Sequence, residues 1–334
     1  MPAVTLSDLS QMFQLRRNTV QVRQDLSTAT QELSSGRHSD LGKSVSGNYG
    51  PLVAIDQQLA GLKAFNTNAK EATLFAEGAQ MSLNRINKLG SDLGQRLVNV
   101  VESDIKTLRN VFANEAEEAF GTSVAALNGT VAGRSIFAGT GTNGPALASA
   151  GDILAELRTL TAAETDAEDV VAIVDAWFGP GGGFEATGYI GSTTDLSGYR
   201  VSEGQTVELT ARADNMTVRH QLKGLALGAL LEGTGITEPR ELAELANLAG
   251  ISLLSNETAM VSLQAEIGAA QHRIEDASAR NSAERTTLEI ARSDIVSIDP
   301  YKVATDLQNL QSQLETIYTI TARLSGLSLT NFLR

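Results

Sequence analysis

Two heptad-spaced apolar seams, one at each end of the chain, set the strongest limit on what it can fold into. Near the N-terminus, Met12, Leu15, Thr19, Val22, Leu26, Ala29 and Leu33 alternate steps of three and four residues. Near the C-terminus, Val303, Leu307, Leu310, Leu314, Ile317, Thr321 and Leu324 alternate steps of four and three. A 3.5-residue period marks a helix that meets another helix along a narrow stripe. One such stripe is also what an ordinary amphipathic helix on a globular core shows. Two of them, neither interrupted by Gly or Pro, point to terminal helices packed on each other.

The interior has the same texture on both sides of a different middle. The helical period resumes at Leu52 and runs through Ile55, Leu59, Leu62, Phe65, Ala69, Ala72, Ala76, Ala79, Leu83, Ile86, Leu93, Leu97 and Val100. No proline falls between Leu52 and Gly144, so a long helix is expected. A returning seam carries Met260, Leu263, Ile267, Ala270, Ile274, Ala277, Asn281, Glu284, Leu288, Ala291 and Ile295. Asn281 and Glu284 on that seam are expected to set register rather than to bind anything. Between these stretches, Ile153 to Leu160 suggests a short helix, and Thr165 with Glu168 a capping box opening a second one. The segment Thr206 to Ala213 alternates like a half-buried strand. Thr237 and Pro239 open a further helix, for which Gly250 is the expected stop.

These patterns predict a mainly α architecture: a long antiparallel helical rod or coiled coil built from both chain ends, with a small inserted α/β domain. The expected boundaries are 1–36 and 300–334 for the terminal coiled-coil helices, 37–140 and 218–299 for the rod, and 141–217 for the inserted mixed α/β domain.

Composition narrows the function classes. The formal charge of −13 over 334 residues, without a basic run, speaks against a phosphate-backbone binder. Cysteine is absent, which removes thiolate nucleophiles, disulfides and cysteine metal sites. No apolar run reaches the roughly 18–20 residues a bilayer span needs, and the N-terminus has no cleavable secretory pattern. His38, His220 and His272 lie on separate elements without metal-ligand spacing. Gly139, Gly141 and Gly144 match G-x-G-x-x-G, yet no buried parallel strand precedes them, so a dinucleotide site is not expected. Catalytic residues, cofactors and metals are therefore all expected to be none, and the chain is not expected to be an enzyme.

Several motifs resemble the bacterial flagellin family. Gln31-Glu32-Leu33-Ser34-Ser35-Gly36-Arg37, followed by a loop and the spaced residues Asn66, Ala69, Ala76, Ala79, Leu83, Ile86, Leu93 and Leu97, is similar to the family's N-terminal helix, turn and rod helix. Gly133-Arg134-Ser135-Ile136-Phe137-Ala138-Gly139-Thr140 and the final stretch Thr321 to Arg334 resemble segments of its hook-associated members. Gly268 to Arg273 and Ala291-Arg292-Ser293-Asp294-Ile295, with Asp299 and Tyr301, resemble the C-terminal rod and its link to the last helix. The loop after Gly36 departs from the family pattern at His38 to Lys43.

The resemblance implies a structural role at the junction of hook and filament. It implies self-assembly into a ring, with a hook-associated protein on the hook side and flagellin on the filament side, and no contact with nucleic acid or membrane. It further implies uncleaved type III export to the cell exterior, with room for an export chaperone. Met12, Leu15, Val22, Leu26 and Leu33 would form the assembly seam with Leu307, Leu310, Leu314, Ile317 and Leu324. A filament subunit stays open as an alternative, and so does a soluble signalling coiled coil.

Overall fold

The computed structural model describes residues 6–100 and 102–332, with side chains from residue 10 to 323 except at 11, 101 and 103. The chain is mainly helical. In order come α1 (Leu6–Ser35), α2 (Leu41–Ser44), α3 (Gly50–Val98), α4 (Glu102–Leu127), the hairpin β1 (Thr130–Val131) and β2 (Arg134–Ser135), α5 (Ala150–Thr161) and α6 (Ala167–Phe178). A π-helical turn at Phe184–Gly188 precedes the hairpin β3 (Tyr199–Ser202) and β4 (Gln205–Val207). The chain then forms α7 (Met216–Ala229), α8 (Pro239–Ser255), α9 (Glu257–Val296) and α10 (Pro300–Phe332). It divides into two compact units, Met1–Gly61 with Ala283–Arg334, and Leu62–Ser282.

In the first unit α1 packs along α10. The two are joined to the neighbouring chain by a small main-chain clasp. Gly36, at φ +70°, ends α1, its N–H donating to Glu32 O at 2.8 Å. That left-handed residue turns the chain so that Ile298 N–H reaches Gly36 O at 3.2 Å and His38 N–H reaches Val296 O at 3.0 Å. The Glu32 carboxylate accepts from Ser39 N–H at 2.8 Å and Ser39 Oγ at 3.0 Å. On the other side, Asp299 Oδ1 accepts from Tyr301 N–H at 2.9 Å and Lys302 N–H at 3.3 Å, capping α10 ahead of Pro300. Arg292 pairs with Asp56 at 2.7 Å.

The second unit has one continuous core. Ala72, Leu83, Ile86, Leu93 and Leu97 of α3 share it with Phe120 of α4, with Leu154, Val174 and Trp177 of α5 and α6, and with Leu222, Leu245, Ile267 and Ile274 of the later helices. Thus the section 141–217 is an insertion by chain order, but its helices share a core with α4, α7 and α8. Its aromatic centre is Trp177, edge-on to Phe178 and Phe184 at centroid distances of 4.8 and 5.9 Å. The indole N–H donates to Glu156 at 3.0 Å, so its burial leaves no orphan donor.

Three local expectations change. The cap of α6 is Asp166, whose side chain accepts from Glu168 and Asp169 N–H, because Thr165 lies one residue too early for that geometry. Gly250 lies inside α8 instead of ending it. A Cβ there would stand 2.6 Å from Val98 and 2.8 Å from Gly94 O, so this glycine permits a close crossing of α8 on α3. The alternation from Val207 to Ala213 holds, with Leu209, Ala211 and Ala213 buried. Ladder pairing nevertheless stops at Val207, because β3 offers no further partner residues.

Asn281, predicted to sit on the α9 seam, is 3 % exposed. Its amide donates to Val201 O at 2.7 Å, which fixes β3 to the helix. Arg280 donates to Gln205 at 2.9 Å and Asn68 to Arg200 O at 3.1 Å, tying down the same hairpin.

One buried cation gives the second unit a pH signature. Arg219, 5 % exposed, lies over the Phe184 ring at 5.0 Å and pairs with Glu185 at 2.9 Å. The hydrogen bond from Arg219, helped by one from Gly181 N–H, holds the Glu185 carboxyl below its ordinary value of 4.5. A depressed carboxyl adds stability at pH above its unfolded value and loses it as pH falls through the lower folded value. Glu185→Gln is therefore expected to melt lower than the parent at neutral pH, with the gap closing once the solution is acidic enough to protonate Glu185. Thermal melts across that range would check it.

Candidate assembly surface

The surface that the sequence singles out is the α1–α10 pair. Ala29 forms a small cluster with Ile298 and Val303, against which Leu307 and Leu310 pack. Further along, Val22 and Ile317 are buried at 5 % and 8 % exposure. Leu15, Leu26 and Leu314 are half-buried. Met12 and Leu33 stand exposed, at 55 % and 40 %, and the Leu324 side chain lies outside the described residues. The two helices run antiparallel, since Ala29 lies by Val303 while Arg23 reaches Tyr318.

That last contact is absent from the heptad pattern. Arg23 donates to the Tyr318 hydroxyl from Nε at 3.1 Å and from Nη2 at 2.5 Å, and its guanidinium lies 5.7 Å from the ring centroid. A planar donor fork held on a phenol fixes the axial register of two otherwise smooth helices. Nothing in the heptad pattern singles out Arg23; its only signal is that Tyr318 directly follows a seam residue.

The pair also carries apolar side chains that it does not cover. Phe13 and Val20 are 77 % and 65 % exposed on α1, and Tyr301, Tyr318 and Ile320 are 88 %, 44 % and 44 % exposed on α10. Phe13 and Val20 each follow a seam residue by one position and lie seven apart, so they form a second stripe beside the first.

Elsewhere the groups that could carry chemistry stay apart. His38 sits beside Glu32 at 3.9 Å and His272 beside Asp276 at 3.7 Å, in different units, while His220 lies on α7. Among the described residues no group of three or more His, Cys, Asp or Glu could hold a metal ion. No helix among them is long and apolar enough to cross a membrane. At the glycine run, Gly139 adopts φ +57°, and a Cβ there would meet Ser192 O at 2.4 Å and Thr194 O at 2.5 Å. The space a phosphate would need is filled by the chain's own loop, held by Thr140 N–H to Thr194 O at 3.0 Å.

Comparison with known proteins bears on the same helices. Residues 254–333 match the bacterial flagellin C-terminal helical region. No curated protein matches the chain. Among solved structures, one described as a flagellar hook-associated protein from Vibrio parahaemolyticus aligns over 73 % of this chain and 95 % of its own, with 11 % identity and a TM-score of 0.47. The flagellin-like character of this chain thus rests on residues 254–333, which span α9 and α10 and are similar to the bacterial flagellin C-terminal helical region.

Proposed function

We propose that the protein is a structural, non-enzymatic component of the bacterial flagellum, and that it serves at the junction of hook and filament. The observation that carries this reading is the flagellin C-terminal match over 254–333 falling on a helix, α10, whose outer side bears uncovered apolar groups. Of the expected seam residues, Val22 and Ile317, Leu307 and Leu310 and the half-buried Leu15, Leu26 and Leu314 hold the two terminal helices together, while Met12 and Leu33 stay exposed. The second stripe, Phe13 and Val20 on α1, and the exposed Tyr301 and Ile320 on α10 are then free to pack on neighbouring subunits in a ring.

On this reading the chain leaves the cell uncleaved by flagellar type III export, escorted by a chaperone, and works at the cell exterior. It sits between a hook-associated protein and flagellin. The matched region is that of flagellin itself, which favours a filament subunit as the second reading. Electron microscopy of a strain lacking the gene separates them. Hooks without filaments, with flagellin shed to the medium, are expected for a junction protein; filaments of altered form would overturn that reading in favour of the second.

A further inference from the structure

The second unit contains an open groove of about 490 Å³ between the extended segment after β4 and the side of α9. Its floor is apolar: Leu209 and Ile267 are 6 % and 4 % exposed, and Ala270 is 2 % exposed. Along one wall run residues 208–211, which lie outside the named strands and alternate in burial as a strand does. Among the described residues, no main-chain hydrogen bond joins 208–211 to another part of the chain. A strand edge in that state offers its N–H and C=O groups to an incoming strand.

The rims carry charge. Glu208 stands on the strand side and Glu266 on the helix side, both exposed, and neither has an ion-pair partner among the described residues. Arg273 also lines the groove, but its Nε–H is turned back onto its own helix, to Ala269 O at 3.3 Å. Two carboxylates on different walls, against the single guanidinium of Arg273, leave the groove net acidic over an apolar floor, which suits a side chain with a long apolar stem and a cationic tip.

We propose that this groove binds an extended segment of a basic partner protein, which adds a strand to residues 208–211 and lays a lysine or arginine between Glu208 and Glu266. Strand addition supplies the main-chain hydrogen bonds, and the cation between the carboxylates supplies the selectivity. The chain's own net charge of −13 disfavours a second copy as occupant, because like-charged surfaces repel.

The probes are three short peptides added to the full-length purified protein: acetyl-Thr-Val-Lys-Val-Thr-amide, the same peptide with Glu in place of Lys, and the Lys peptide N-methylated on alternate residues. Calorimetry and amide hydrogen exchange are the readouts. The Lys peptide is expected to bind and to slow exchange at 208–211. The Glu and N-methylated peptides are expected to bind at least about tenfold more weakly, as is the Lys peptide to the double variant Glu208→Gln, Glu266→Gln. Both glutamates are exposed, and an unchanged thermal melt of the double variant would show that it folds. Equal binding of Lys and Glu peptides, equal binding of the N-methylated peptide, or no binding at millimolar peptide would overturn the proposal. So would a concentration-dependent dimer that protects 208–211, since the occupant would then be a second copy.

Discussion

Excising residues 146–204 and closing the gap with a short Gly-Ser linker is expected to unfold the second unit. Within that stretch Leu147, Ile153, Leu154, Leu157, Val170, Val174, Trp177, Phe178 and Phe184 are all buried in the common core. Their removal also removes their own ordering cost, so what matters is the surface they leave behind. α5 covers part of α4, and α6 covers parts of α7 and α8. Each Leu, Val or Phe newly exposed on those helices forfeits about 1.5–3 kcal/mol, and a handful suffices to exhaust a net stability of about 5–15 kcal/mol. Circular dichroism should show helix content falling well beyond the share of the excised residues, with the cooperative melt lost. Helix content that dropped only by the excised share would show that α4, α7 and α8 hold together without the insertion.

Periodicity located the long helices: α1, α3, α9 and α10 coincide with stretches in which apolar residues recur every three or four positions without proline. It also located the buried side of the first part of α9, where Met260, Leu263, Ile267, Ala270, Ile274 and Ala277 are all buried, but beyond Asn281 the seam residue Glu284 is exposed and Leu288, Ala291 and Ile295 are only half-buried. What it could not supply was the partner of each face. Val170 and Val174 read as one short amphipathic helix whether they cover a private core or the side of α7 and α8. Gly250 reads as a stop signal because a glycine that ends a helix and one that lets another helix approach have the same local sequence. Only the nearness of Gly94 and Val98, more than 150 positions away in sequence, distinguishes them.

The candidate surface was legible to the same depth. Of the heptad residues, Val22, Ala29, Val303 and Ile317 are buried, while Met12 and Leu33 are exposed. The Arg23–Tyr318 contact was not legible, because a hydrogen bond between residues 295 positions apart leaves no periodic trace. Nor was the open edge at 208–211, since an alternating segment looks the same paired or unpaired until its neighbours are known.

The sharpest consequence of the seam concerns Leu314. This residue lies one turn after Leu310, which packs on the cluster of Ala29, Ile298 and Val303, and one turn before Ile317, which is 8 % exposed. An aspartate here puts a carboxylate into the same narrow contact, and pairing it with Arg23 would cost that guanidinium its hydrogen bonds to the Tyr318 hydroxyl. In the single chain Leu314 is only half-buried, so the carboxylate keeps part of its hydration and the cost stays near the about 1–3 kcal/mol of an uncompensated polar group. On the proposed function, neighbouring subunits close over α1 and α10, that water is excluded and the charge becomes a buried one, whose penalty rises to several kcal/mol per subunit. In the proposed ring the penalty recurs in every subunit. Leu314→Asp is therefore expected to be exported into the medium with the second unit folded, yet to be absent from purified flagella, while Leu314→Met, which conserves volume, is expected to be incorporated normally. Immunoblots of the medium and of sheared flagella would separate failed export from failed assembly. Leu314→Asp present in flagella at the parent's level would remove Leu314 from the assembly seam and leave Phe13, Val20 and Tyr301 as the groups to alter next.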